Sequence, residues 1–238
     1  MNKPIYMDHA ATTPLDPRVL EKMTPYLTDV YGNANSQHAF GRAADRGVDE
    51  ARDTIASLIG AKPSEIYFTS GGTEADNWAL KGIMAAQTKK KHLIVSAIEH
   101  AAMLETAKQL SKAGYEVSCA PVDEFGRVDL DALRALVRED TALVGVMAAN
   151  NEVGTIQPVG EIAAIAHAKG ALMFTDAVQA AGVLELDVRA LGVDLMSASA
   201  HKIYGPKGVG MLYVRNGVKI ENLIAGGHQE RCLLYTSD

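Results

Sequence analysis

Cysteine is scarce in this chain, with only Cys119 and Cys232 among 238 residues. Two isolated thiols cannot build a disulfide framework, and without a C-x-x-C pair they do not mark a zinc site. No two histidines have the HExxH arrangement, which excludes that form of metalloprotease chemistry. Positive charge is also in deficit: 23 Lys and Arg stand against 29 Asp and Glu, a formal net charge of −6. Nucleic acid is therefore not expected as the main partner. The one dense basic run, Lys89-Lys90-Lys91, reads as a solvated loop. The longest apolar stretches are well short of a membrane span, and residues 1–6 lack the apolar core of a signal peptide. Neither a membrane partner nor secretion is expected; the expected compartment is cytoplasmic.

What is present is ordinary for a folded α/β protein. The chain is 47% hydrophobic and 22% charged, and long enough to enclose a sizeable core. Strand-like and helix-like segments alternate. Ile66–Thr69, His92–Ser96, Tyr115–Cys119, Ala142–Met147, Ala171–Thr175 and Leu195–Ser197 are the expected strands. Helices are expected from Pro17 behind an Asp16 cap, over 41–59, after Gly72, over 103–112, after Asp129, and over 159–168. Gly60, Gly114 and Gly170 are the expected helix stops. In the second helix Ala44, Val48, Ala51, Ile55 and Leu58 fall on one face. Continuous apolar strands separated by helices indicate a mostly parallel sheet covered on both faces, a three-layer α/β/α architecture. No repeat, low-complexity tract or linker divides the chain.

In open parallel sheets, ligands bind beyond the carboxyl ends of the strands. Four strand ends carry unusual residues. Ser70-Gly71-Gly72-Thr73-Glu74 lets backbone approach an anion at a helix start, although it is no Walker A loop. Asp176 and Gln179 follow the fifth strand; taken alone, such an aspartate is more often a helix cap. Asn150-Asn151-Glu152-Val153-Gly154 follows the fourth and also suits a simple turn. Ser199-Ala200-His201-Lys202 follows the sixth and runs into a glycine-rich turn through Gly208. A lysine in low-dielectric surroundings loses basicity and becomes a usable nucleophile. A lysine for a Schiff base, a carboxylate for a pyridine nitrogen and an anion cradle are together the needs of pyridoxal 5'-phosphate.

In these segments the chain resembles the NifS/IscS-like cysteine desulfurases, class-V aminotransferases of fold type I. The likeness runs from Tyr6 to about Arg231. It is carried by Ala11-Thr12-Thr13-Pro14, Gly32-Asn33-Ala34-Asn35-Ser36, Phe68 to Glu74, Glu99-His100, Asn150 to Gly154, Asp176 to Gln179, and Ser199 to Gly208. The resemblance implies the large domain of an aspartate-aminotransferase-like fold over 16–231, preceded by an arm over 1–15. It implies pyridoxal 5'-phosphate on Lys202, with Asp176 at the ring nitrogen and Gln179 at the phenolic oxygen. Asn151 would lie on the substrate side, and His100 would stack on the ring and move protons. Gly72, Thr73, Ser199 and His201 would bind the phosphate.

The implied reaction takes L-cysteine to L-alanine, with sulfur passing to an enzyme cysteine as a persulfide for iron–sulfur cluster or thio-cofactor synthesis. The implied partners are a second copy in a homodimer and a sulfur acceptor or scaffold protein. Selenocysteine lyase, another aminotransferase, and a non-catalytic cofactor-binding fragment are the alternatives. Cys119 is expected to be a small buried hydrophobe rather than the reactive thiol. After Gly226-Gly227-His228-Gln229-Glu230-Arg231, residues 232–238 depart from the family pattern and are expected to be a non-native tail. The family's C-terminal small domain, with its persulfide cysteine, is then expected to be absent.

Overall fold

The computed structural model describes residues 4–226; the expectations for 227–238, Cys232 included, lie outside the described residues. After an irregular arm come α1 (Pro17–Thr28) and α2 (Ala39–Leu58). Strands and helices then alternate as β1 (Ile66–Thr69), α3 (Gly72–Ala86), β2 (His92–Ser96), α4 (Ala101–Lys112) and β3 (Glu116–Ala120). There follow α5 (Leu130–Leu136), β4 (Thr141–Gly145), α6 (Val159–His167), β5 (Leu172–Asp176), β6 (Leu195–Ser199) and β7 (Gly210–Val214).

Local signals account for several boundaries. Asp16 Oδ1 accepts from Arg18 N at 2.8 Å, and Pro17 occupies the first helical position, where its missing N–H costs nothing. Asp129 caps α5 by accepting from Asp131 N and Ala132 N, both at 3.0 Å. The chain leaves α6 through Gly170 at φ +67, a conformation that disfavours any side chain with a Cβ.

The seven strands form one sheet in the order β1-β7-β6-β5-β4-β2-β3. Only β7 runs against the rest, pairing antiparallel with both β1 and β6. The sheet is thus mostly parallel, as expected; β7 is an addition, an apolar run without the helix that a parallel connection requires. Helices α3 and α4 pack on one face around Leu80, Ile83, Met103, Leu143 and Phe174. Helices α5 and α6, with the end of α2, cover the other around Leu133, Ile162, Met173 and Met196. All six parallel strands point their carboxyl ends the same way, so their outgoing loops share one rim.

Two sequence expectations need correction. Cys119 is exposed, not buried. It lies on β3, the edge strand, where no further strand covers its flank. The apolar stripe of α2 is only partly covered: Ala44 is buried, but Ala51 is exposed and Leu58 is 77% exposed. Sheet contact instead uses Arg52 and Ala56, and much of the stripe lines an open groove shared with Val19, Met23 and Tyr26 of α1. Among the described residues no helix is long and apolar enough to cross a membrane. Lys89 to Lys91 lie in the loop between α3 and β2, with Lys90 Nζ donating to Gly170 O.

Candidate active site

The shared rim encloses a cavity of about 500 Å³. Gly72, Thr73, His100, Asn151, Asp176, Gln179, Ser199, His201 and Lys202 all line it. The structure therefore brings together the whole set of residues singled out from the sequence.

Gly72 and Thr73 open α3, where the first N–H groups have no partner within the helix. The turn is pressed close to its neighbours. A Cβ on Gly72 would lie 2.7 Å from Val178 Cγ2, and one on Gly210 would lie 2.6 Å from Gly71 Cα. Glycine here serves close approach, which lets β7 and the turn hold the helix start against Ser199.

Lys202 sits in a short 3₁₀ turn after β6. Its Nζ donates to Ala10 O and, at 3.0 Å, to Ala11 O. Desolvation lowers its pKa, opposed by the charges of Asp176 and Asp8. Residues 8–13 of the arm hold this segment in place. Thr13 N and Oγ1 donate to His201 O at 2.8 and 2.9 Å, and Tyr204 N donates to Thr13 Oγ1 at 2.8 Å. Gln179 Nε2 donates to Ala10 O at 2.8 Å. These bonds hold Tyr204 at φ +63, a strained setting for a bulky residue. His201 Nδ1 lies 3.1 Å from Thr12 Oγ1, and its pKa is lowered by burial and by Lys202 and Lys207.

Asp176 ends β5 and is buried; its Oδ1 accepts from Val178 N at 2.8 Å. Burial pushes its carboxyl up, while the Val178 bond and the charges of His100 and Lys202 pull it down. It thus both closes the turn that follows β5 and supplies the acid on the cavity wall. His100 has the same double character. Its Nδ1 accepts from Ala102 N at 3.1 Å and caps α4, which leaves the neutral ring's proton on Nε2. Asn151 reaches the cavity because its neighbour ties the loop down: Asn150 Nδ2 donates to Ile98 O and Oδ1 accepts from Glu152 N, both at 2.8 Å.

Sequence reasoning missed three acids here. Asp8 and Asp76 also line the cavity. Asp76, one helical turn beyond Gly72, is buried and its Oδ1 accepts from Ser197 Oγ at 2.7 Å. Burial, then the charge of Asp176, pushes its carboxyl well up. Glu99 was singled out only as a marker beside His100. It is fully buried; Ser96 Oγ donates to it, and Met147 N lies 2.9 and 3.1 Å from its two oxygens. Burial pushes its carboxyl up to about 8. The helical spacing of Gly72 and Asp76 was the available signal for the second acid.

The class-V aminotransferase profile matches residues 5–237. The chain belongs to that family. Members of it, the cysteine desulfurases included, use pyridoxal phosphate. The chain is 50% identical over 232 residues to a cysteine desulfurase IscS of Clostridium botulinum, covering 97% of this chain and 58% of that protein. A second such enzyme, from Dictyoglomus turgidum, is 52% identical over 231 residues, covering 97% and 59%. Among solved structures, a NifS-like protein superposes with a TM-score of 0.94 at 48% identity, covering 97% of this chain and 64% of that one. One titled SspA in complex with cysteine gives 0.92 at 38% identity, covering 97% and 67%. The chain therefore spans somewhat under two thirds of the length of the curated relatives it matches.

The donor set fits the family's cofactor. One cavity presents a partly desolvated amine, a buried carboxylate beside His100 and Lys202, and a helix start whose glycine leaves room for no Cβ. Cys119 is not part of the cavity lining. Its strand stands three places from β5 in the sheet, roughly 14 Å at the usual strand spacing. Partial desolvation also raises its pKa, which disfavours a nucleophilic thiolate.

Proposed function

We propose that the protein containing this chain is a pyridoxal-phosphate-dependent cysteine desulfurase, and that residues 16–226 form its cofactor-binding unit. The observation that carries this reading is one cavity holding Lys202, Asp176, His100 and the start of α3, in a chain about half identical to cysteine desulfurases.

When bound, pyridoxal phosphate supplies an electron sink for negative charge developing at the substrate's α-carbon. Lys202 would attach the group covalently; its lowered basicity raises the share of neutral amine able to do so and later to accept a proton. Asp176 would pair with the ring nitrogen, and Gln179 would donate to the ring oxygen. The N–H groups of Gly72 and Thr73, with Ser199 and His201, would hold the phosphate by charge-assisted hydrogen bonds. His100, with Nδ1 held by Ala102 N, offers its Nε2 for proton transfer. Asn151 would face the substrate.

The position of Cys119 supports a second reading for these residues by themselves: cofactor binding without sulfur transfer. The persulfide cysteine of the whole enzyme would then come from elsewhere in the protein. Exposed Ile5, Met7, Tyr31 and Phe40 support a homodimer, since that much apolar surface on the arm and around the start of α2 favours burial against a partner. A sulfur acceptor would be a further partner.

The test combines absorbance with product analysis. Pyridoxal phosphate added to the chain should give a visible band absent from Lys202→Ala. The full-length protein should then release alanine from L-cysteine and retain sulfur as a persulfide. Absence of a Lys202-dependent band would overturn the cofactor assignment, and failure to form alanine would overturn the desulfurase assignment.

A further inference from the structure

Asp76 is a buried acid with no part in the mechanism above, yet it is tied to the residue that has one. Ser197 is the cross-strand neighbour of Asp176 in the β5–β6 register. Its hydroxyl lies 2.7 Å from Asp76 Oδ1 and also interacts with the Asp176 carboxylate. Asp76 hangs from α3 onto the same wall of the cavity. The charged and titratable groups facing the pair are few. Glu99, before α4, bears on both acids, while His100 and Lys202 bear on Asp176 alone.

Two carboxylates bridged by one hydroxyl in a desolvated wall do not both ionise readily, because each charge raises the cost of the other. The surroundings break the symmetry. Asp176 has Val178 N, His100 and Lys202 to hold its charge, whereas Asp76 has only Ser197 and acids. A hydroxyl can turn, accepting from one partner while donating to another.

We propose that Asp76 is a positioning residue: it holds a proton, donates it in a hydrogen bond to Ser197 Oγ, and so lets the Ser197 hydroxyl donate to Asp176, which remains the charged carboxylate on the cavity wall. The arrangement presents a single negative charge, oriented by its own donor, where a protonated ring nitrogen would sit. Orientation is fixed without a second buried charge.

Infrared spectroscopy on the 238-residue chain, labelled at the aspartate carboxyl carbons so that Glu99 is separated, reads the proton directly. At neutral pH the wild type should show the carbonyl stretch of a protonated aspartic acid. That band should vanish in Asp76→Asn, persist in Asp176→Asn, and change frequency in Ser197→Ala. No such band in the wild type, or one lost in Asp176→Asn but kept in Asp76→Asn, would overturn the proposal. The second readout is the affinity for pyridoxal phosphate, and it rests on the proposed function. Asp76→Ala should weaken binding by about tenfold, as expected when a charged acceptor loses its donor. Asp76→Asn, whose amide N–H can still donate to Ser197, should restore affinity to within about threefold of the wild type. Equal weakness in the two variants would count against the relay. If Asp176→Asn bound the cofactor as tightly as the wild type, the proposed function would fail instead, while the infrared result would stand.

Discussion

Glu99 makes the stability of this protein depend on pH in a direction opposite to the usual carboxylate. Its folded-state pKa is pushed from 4.5 up to about 8 by complete burial. The folded chain therefore binds this proton more tightly than the unfolded chain does. Below 4.5 both states are protonated and the group contributes no slope. As pH rises above 4.5 the unfolded chain ionises while the folded chain cannot, so stability falls until the folded group ionises near 8. At about 1.36 kcal/mol per pH unit, the full span amounts to about 5 kcal/mol. Between about pH 5.5 and about pH 7 the loss is about 2 kcal/mol. Glu99→Gln removes it with little change in contacts. The Gln carbonyl can accept from both Ser96 Oγ and Met147 N, as Glu99 Oε1 does. Urea denaturation followed through Trp78, the single tryptophan and 8% exposed, measures the difference. With a urea m-value of about 2–3 kcal/mol/M, the variant's midpoint should gain about 0.7–1 M on the wild type's over that interval. Glu99 couples to Asp76 and Asp176 through its charge, which the folded protein carries only from about pH 8, so below that the slopes from those two acids cancel in the comparison. Parallel curves for wild type and variant would refute the reasoning, since they would mean that Glu99 folds already ionised.

Four further outcomes are expected. Lys202→Ala should lose the visible absorbance given by pyridoxal phosphate while retaining the far-ultraviolet circular dichroism of the wild type. Gly210→Ala should destabilise by about 1–3 kcal/mol in the same urea assay, because its Cβ meets backbone at 2.6 Å that cannot rotate away. Asp194→Ala should cost about 3 kcal/mol: its fully buried carboxylate accepts from Arg215 Nε and Met173 N, both at 2.7 Å, and contacts His167 Nε2 at 2.8 Å. Cys119→Ser, on the exposed edge, should leave stability within about 0.5 kcal/mol and the cofactor spectrum unchanged; a lost spectrum would place the thiol in the site after all.

How far the sequence could be read follows from the range over which each feature is decided. The parallel strands and the helices between them were legible because continuous apolar runs, Asp16 and Asp129 caps and the Gly170 stop act within a few residues. The cavity residues were legible because a parallel sheet sends every outgoing loop to one rim, so polar residues after strands converge without knowledge of strand order. What failed depended on order or on covering. Cys119 looked like a buried residue because a thiol at the end of a short strand is usually a small core hydrophobe, and only the strand order makes β3 an edge. The α2 stripe has the right period for a core face, yet burial needs a second surface, and in the described residues α1 covers that stripe only loosely. Asp76 is the sharpest case. Its local context, mid-turn in an amphipathic helix, is that of a surface acid. It becomes a buried one because Ser197, 121 positions away in the chain, lies beneath α3 on β6, beside Asp176 of β5. Short-range chemistry was therefore sufficient to find the residues that line the cavity. Finding the residue that sets their charge required the sheet to be assembled first.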